Sequence, residues 1–142
     1  MKVSEVHELV GRVAAVGAGC TDWAVLQAAV GDLRRLKSWV DGREVLLAKL
    51  IAGVSSFPEK SLAEAGRTSL RHGEQIMHRA ETVAEVPGFE ASLEAGRVSG
   101  AHVDVLTRAL AQLQPVPRQG LIDLAPTLVP VAENMSADEF AR

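Results

Sequence analysis

A chain of 142 residues, 47% apolar and 23% charged with a formal charge of −3, has the make-up of one globular domain. Its apolar content excludes a disordered chain, the lack of an uncharged apolar run of about 18 residues excludes a membrane-spanning helix, and the single Cys20 excludes an internal disulfide framework. Tyrosine is absent and only Trp23, Trp39, Phe57, Phe89 and Phe140 are aromatic, so Ala, Val and Leu must fill the core, as suits close helix packing.

In chain order, Val6, Leu9, Val10, Val13 and Val16 recur at helical spacing over residues 4–16, after a cap at Ser4 and before Gly17 and Gly19. Glu5, His7, Glu8 and Arg12 interrupt the apolar stretch that a secretory leader needs, so a cytoplasmic protein is expected, with Cys20 as a small packed thiol. A second helix starts from an N-cap at Thr21 and reaches Val54, which makes it roughly 50 Å long. Leu26, Leu33, Val40, Leu47 and Val54 recur every seven residues, flanked by Ala29, Leu36 and Leu50. A seam of that period packs against another helix at a shallow angle, either within a bundle or across a dimer interface. Gly31 and Gly42 weaken it, and a bend or break is expected near Asp41-Gly42.

From Pro58 the elements shorten. Residues 58–65 predict a two-turn helix, Gly66 to Thr68 a turn, and residues 69–86 a helix stopped by Pro87. Pro87 to Ala95 predicts a short helix closed by Gly96, and Ser99 caps a helix from Gly100 to Leu113 with Val103, Leu106, Leu110 and Leu113 on one face. Pro115 and Pro117 read as a linker. Leu121, Leu124, Leu128 and Val129 then mark a helix that Pro126 and Pro130 must kink or split. Ser136 to Glu139 is a capping box six residues from the end, which reads as a helix cut short. The expected fold is an all-α helical bundle in one domain, with a long-helix region at 1–57, short helices over 58–114 and C-terminal helices over 118–142.

Residues 66–106 resemble the domain of unknown function 222 family. The likeness is carried by Thr68-Ser69 opening a helix, His78-Arg79-Ala80, Val86-Pro87 and the run ASLEAGRVSGAHVDVL at 91–106. The resemblance implies an actinobacterial helical domain of the kind found N-terminal to an HNH endonuclease module. Gly73 departs from the family's alanine, and Pro126 and Pro130 interrupt a helix that the family keeps continuous. Nothing in these residues supplies the nuclease chemistry, since Asn134 is the sole asparagine and no β-hairpin flanks a histidine. Under this likeness the chain is a non-catalytic accessory domain, and any catalytic module lies beyond Arg142.

Residues 61–80 also resemble a helix-turn-helix, whose second helix would present its N-terminal polar residues to DNA. Helical spacing turns Leu70, Gly73, Met77, Ala80 and Ala84 inward and leaves Arg71, His72, Gln75, His78 and Arg79 outward as the candidate DNA contacts. The turn is about one residue short of that motif's usual spacing, and Glu74 would repel phosphate. Arg34, Arg35, Lys37 and Arg43 lie on the long helix among Asp32, Asp41 and Glu44, as on a solvated face. Residues 1–79 carry 11 basic against 9 acidic side chains and residues 80–142 carry 4 against 9, so a nucleic-acid face is permitted in the first half but not demanded.

Histidine spacing does not suit a metal site, because His72 and His78 lie on different helix faces and His7 and His102 are isolated. His102 reads as a residue packing or capping at a helix start. No nucleophile triad and no phosphate loop follows a strand. The sequence thus predicts no cofactor, no metal, no membrane contact and no small-molecule substrate. Two partners remain: DNA along the 69–86 helix, or a second copy of the chain along the long helix in a dimerisation or protein-interaction module with no nucleic-acid role.

Overall fold

The computed structural model describes all residues from Met1 to Arg142, and every regular element is helical. In order these are α1 (Val3–Ala14), α2 (Trp23–Ala52), α3 (Pro58–Gly66), α4 (Leu70–Glu85), α5 (Phe89–Glu94), α6 (Gly100–Gln112), α7 (Pro115–Glu133) and α8 (Ala137–Phe140). The all-α architecture, with one long helix in the first half followed by shorter ones, is as expected.

Helix α2 is the spine, about 45 Å long, and α1, α3, α4, α5 and α6 all pack on it. Its cap is Asp22 rather than the expected Thr21. The Asp22 carboxylate accepts from the backbone N–H groups of Ala24 and Val25 at 3.0 and 3.3 Å, and the negative charge suits the positive end of the helix dipole. Of the bend or break expected at Asp41-Gly42, no break occurs, and the helix runs through. Gly42 serves packing instead: a Cβ there would stand 3.2 Å from the backbone nitrogen of Glu94, so its absence lets the end of α5 lie directly on α2.

The buried side of α2 is Ser38, Gly42, Val45 and Ala48. Val45 and Ala48 join Ile76, Ala80 and Val83 of α4, Phe89 and Leu93 of α5, Val103, Leu106 and Leu110 of α6, and Ala125 and Ala132 of α7 in one core. Val6 and Leu9 of α1 are also buried. From Leu33 onward the heptad seam points the other way, whereas Leu26 and the flanking Ala29 and Leu36 are half-buried. Leu33, Val40, Leu47 and Val54 are between 40% and 88% exposed, as is the flanking Leu50 at 60%. No helix of the bundle covers them.

Helices α3 and α4 meet through a turn at Arg67, whose backbone is left-handed (φ 52°). Gly73 sits where they cross, and a Cβ at that position would overlap the carbonyl oxygen of Glu59. An alanine would not fit at Gly73 without moving α3. The inward stripe of α4 is Gly73, Ile76, Ala80 and Val83, rotated from the expected set: Leu70 is 53% exposed and Ala84 also faces solvent. The stripe shifts because α4 must meet α3 with its first turn and α2 and α6 with the rest.

Gly96 takes the left-handed conformation expected of a residue closing α5 (φ 74°) and lies against the Arg35 backbone. At α6, Val103, Leu106 and Leu110 are buried as expected, whereas Leu113 is 36% exposed at the C-cap. The segment expected as a linker at Pro115 and Pro117 is the first turn of α7, because a proline at N1 lacks only an N–H that the helix leaves unpaired. Pro126 and Pro130 do not split α7. Within α7, Thr127 Oγ1 donates to the Leu124 carbonyl and Asn134 Nδ2 to the Pro130 carbonyl, both at 2.7 Å. At α1 the cap is Lys2, not Ser4, and the Lys2 N–H donates to Glu5 Oε2 at 3.1 Å. The capping box at Ser136 forms as read, with the Glu139 N–H donating to Ser136 Oγ at 3.2 Å and the Ser136 N–H to Glu139 Oε2 at 2.8 Å.

Candidate functional site

Two surfaces compete for function: the polar face of α4 beside α6, and the outer face of α2. The first carries the five candidate DNA contacts. Ser69 caps α4 by accepting from the His72 N–H at 3.1 Å, which sets the helix start and the direction of its first turn. From there the five side chains part company.

Arg79 is turned inward. Its Nε and Nη2 donate to the two carboxylate oxygens of Asp104 on α6, each at 2.8 Å, and its side chain is only 12% exposed. Asp41 of α2 lies 3.7 Å away on its other side. Burial alone would lower the Arg79 pKa, but the Asp104 hydrogen bonds and charge, with Asp41 and Glu44 behind them, more than reverse this and raise it. Gln75 is drawn into the same knot, its Nε2 donating to Asp104 Oδ2 at 3.0 Å. One turn on, Thr107 Oγ1 donates to the Val103 carbonyl at 3.0 Å and lies 2.6 Å from Thr82 Oγ1, so the Thr82 hydroxyl donates to it. The polar face of α4 is thus largely a seam against α6.

Asp41 closes the knot from below. Its Oδ2 accepts the Gly100 N–H at 2.7 Å, placing a carboxylate at the positive N-terminus of α6. Gly100 leaves room for this, since a Cβ there would stand 2.6 Å from the Arg79 guanidinium carbon and 2.9 Å from Asp41 Oδ2. Glu44, one turn along α2, lacks any such partner. Its carboxyl is pushed above the usual carboxylate range by burial and by the Asp41 charge, which His72 and Arg79 only partly offset.

Arg71, His72 and His78 stay on the surface, His72 half-buried and the others exposed. With Arg108 of α6 they border a shallow cleft of about 570 Å³ whose wall holds no apolar side chain but does hold Glu74 and Asp104. Neither Arg71 nor Arg108 has an ion-pair partner. Of the five candidates the structure therefore leaves three open to a ligand and ties two, Arg79 and Gln75, into the fold. Sequence spacing missed Asp41, Asp104 and Gly100. A charge in the first turns of a helix beside apolar neighbours, as in His102-Val103-Asp104, was the one sequence signal for Asp104; Asp41, in the middle of α2, and Gly100 had none.

His102 takes the packing and capping role expected of it. Its Nδ1 accepts the Ser99 N–H at 3.1 Å and its Nε2 lies 2.8 Å from the Met135 carbonyl, so the fit is that of a neutral ring protonated at Nε2. Phe140 lies against the ring. No three His, Cys, Asp or Glu side chains converge as metal ligands would, and no helix is long and apolar enough to cross a membrane.

The second surface is apolar. Val30, Leu33, Val40, Leu47, Leu50 and Val54 are all at least 40% exposed along one side of α2, and Phe57 extends the line at 66%. Lys37 sits among them, exposed and without an ion-pair partner. The whole chain exposes 8747 Å², against about 7,100 Å² that the scaling for a compact monomer of its 15.1 kDa gives. Searches against family profiles, curated proteins and solved structures find no match to this chain.

Proposed function

We propose that the chain is a helical self-assembly module that associates through the outer face of α2. The observation that carries this reading is the heptad seam itself: large apolar side chains spaced by seven residues, which inside a bundle would be its core, stand open to solvent here. The excess surface of about 1,600 Å² exceeds the roughly 800 Å² that each partner contributes to a standard interface. The test is sedimentation equilibrium of the full chain. Concentration-dependent association that Leu47→Glu abolishes, with the helical circular dichroism intact, supports the reading; a strict monomer at all concentrations overturns it.

DNA contact is the second reading, favoured by the unpaired Arg71 and Arg108 on the polar cleft. It is also the role that the likeness of residues 66–106 to the domain of unknown function 222 family implies, as an accessory to an HNH nuclease module. Against it stand Glu74 in the same wall, a chain charge of −3, and the loss of Arg79 and Gln75 to Asp104. A low-salt gel shift that Arg71→Ala with Arg108→Ala abolishes would promote this reading over the first.

A further inference from the structure

Resting on self-assembly through α2, we infer that the partner is a second copy laid antiparallel across it, with Lys37 of each chain meeting Glu44 of the other. The apolar seam alone allows either direction, and the charges along it choose. Lys37 and Glu44 border the exposed stripe, neither has an ion-pair partner within the chain, and they lie equally far to either side of the Val40-Asp41 step. A two-fold axis through that step brings each cation to the other chain's anion twice over, as an isologous interface requires. The same operation carries the turn of Leu33 onto the partner's turn at Leu47 and Leu50, so apolar turns cover apolar turns on both sides of the ionic pair.

A parallel pairing makes neither contact. It puts the two Lys37 side chains, and the two Glu44 side chains, on opposite flanks, where none of them meets another, and sets Arg43, which projects from the middle of the stripe, beside its own copy; Arg43's only internal tie is a 3.5 Å contact to Glu94. Like charges facing one another across a helical interface are destabilising, and charged flanks set orientation in coiled coils. Glu44 also has reason to accept a partner: it is the one carboxylate held above its ordinary pKa with no cation bonded to it, and a partner's ammonium would relieve that.

Mixing two variants tests the arrangement. Lys37→Glu alone sets a second carboxylate against the partner's Glu44, and Glu44→Lys alone sets a second ammonium against the partner's Lys37. Each variant by itself is expected to self-associate at least about tenfold more weakly than the wild-type chain by sedimentation equilibrium. An equimolar mixture of the two is expected to form a heterodimer within about threefold of wild-type affinity, because one cross-chain contact then pairs the two substituted side chains and the other the two native ones, each with opposite charges. That recovery also shows that both variants fold. If the wild-type chain associates and Leu47→Glu blocks it, but mixing gives no recovery, the antiparallel pairing is wrong and the self-assembly reading stands. A wild-type chain that stays monomeric removes both.

Discussion

Along α2, the face turned to the bundle is built from Ser38, Gly42, Val45 and Ala48, whereas the face turned away carries Leu33, Val40, Leu47, Leu50 and Val54. The buried side chains are the small ones. Close approach of α5 at Gly42, and of α4 and α6 nearby, leaves no room for leucines, so the helix meets its neighbours through small residues and displays its large ones. Size and hydropathy, the signals by which a sequence is usually divided into inside and outside, assign the two faces of this helix the wrong way round for an isolated chain. They assign them correctly for a chain with a partner on its outer side.

The strongest way to break that comparison is to place the same charge on each face. Val45→Asp buries an unpaired carboxylate among Phe89, Leu93 and their neighbours and is expected to cost more than about 4 kcal/mol, enough to unfold the domain in thermal melts. Leu47→Asp, two residues on, is expected to change the stability of the monomer by no more than about 0.5 kcal/mol. Equal losses at the two positions would mean that the outer face is covered within the chain.

The polar seam between α4 and α6 gives the next largest effect. Asp104→Ala strands the mostly buried Arg79 guanidinium and removes the acceptor of Gln75, so a loss of about 3 kcal/mol is expected in urea unfolding. Arg108→Ala, on the same helix but facing the open cleft, is expected to stay within about 0.5 kcal/mol. A comparable loss at Arg108 would show that the cleft is part of the fold.

Most of the fold was legible because its signals are local. Proline at the start of α3, glycine after α5 and the serine caps at Ser99 and Ser136 act within one helical turn, and an all-α chain has no strand register to find. The caps of α1 and α2 and the prolines opening α7 were misread by a residue or a turn, and the larger errors fall where a distant neighbour decides. Whether Gly42 breaks α2 or seats α5 depends on Glu94, 52 residues later. Likewise, Arg79 and Gln75 look outward on a helical wheel and become internal only because Asp104 approaches from α6. Of the candidate DNA face, Arg71 and His78 keep the exposure read for them, His72 is half-buried, and the carboxylate that claims the other two lies on a separate element.

The two glycines of α2 divide the faces more finely. A Cβ at Gly31 meets nothing within 4 Å, so Gly31→Ala is expected to stabilise the domain by about 1 kcal/mol through helix propensity alone. At Gly42 the added methyl presses on the Glu94 nitrogen and the Leu93 backbone, and Gly42→Ala is expected to lose that gain and about 1 kcal/mol more. Thermal midpoints that move in opposite directions are the check.

Glu44, on the border between the two faces, gives the smallest and most conditional effect. Its folded pKa is raised by burial and by Asp41, so the folded state holds the proton more tightly than the unfolded chain does. Stability from this group is therefore greatest in acid, below the unfolded pKa, and falls as pH rises through the folded value, leaving an ionised carboxylate at neutral pH that works against the monomer. Glu133 has the opposite sign. The Ser92 hydroxyl and the Arg97 guanidinium lower its pKa, so its contribution is present at neutral pH and is lost as pH falls through the folded value. Glu44→Gln is thus expected to raise the melting temperature of dilute, monomeric protein at pH 7 and to leave it unchanged near pH 3, whereas Glu133→Gln lowers it at pH 7 and converges with wild type in acid. In the proposed dimer the partner's Lys37 would already neutralise what the substitution removes, so at concentrations where chains associate the Glu44→Gln gain should shrink; a gain that is independent of concentration would place Glu44 outside the interface.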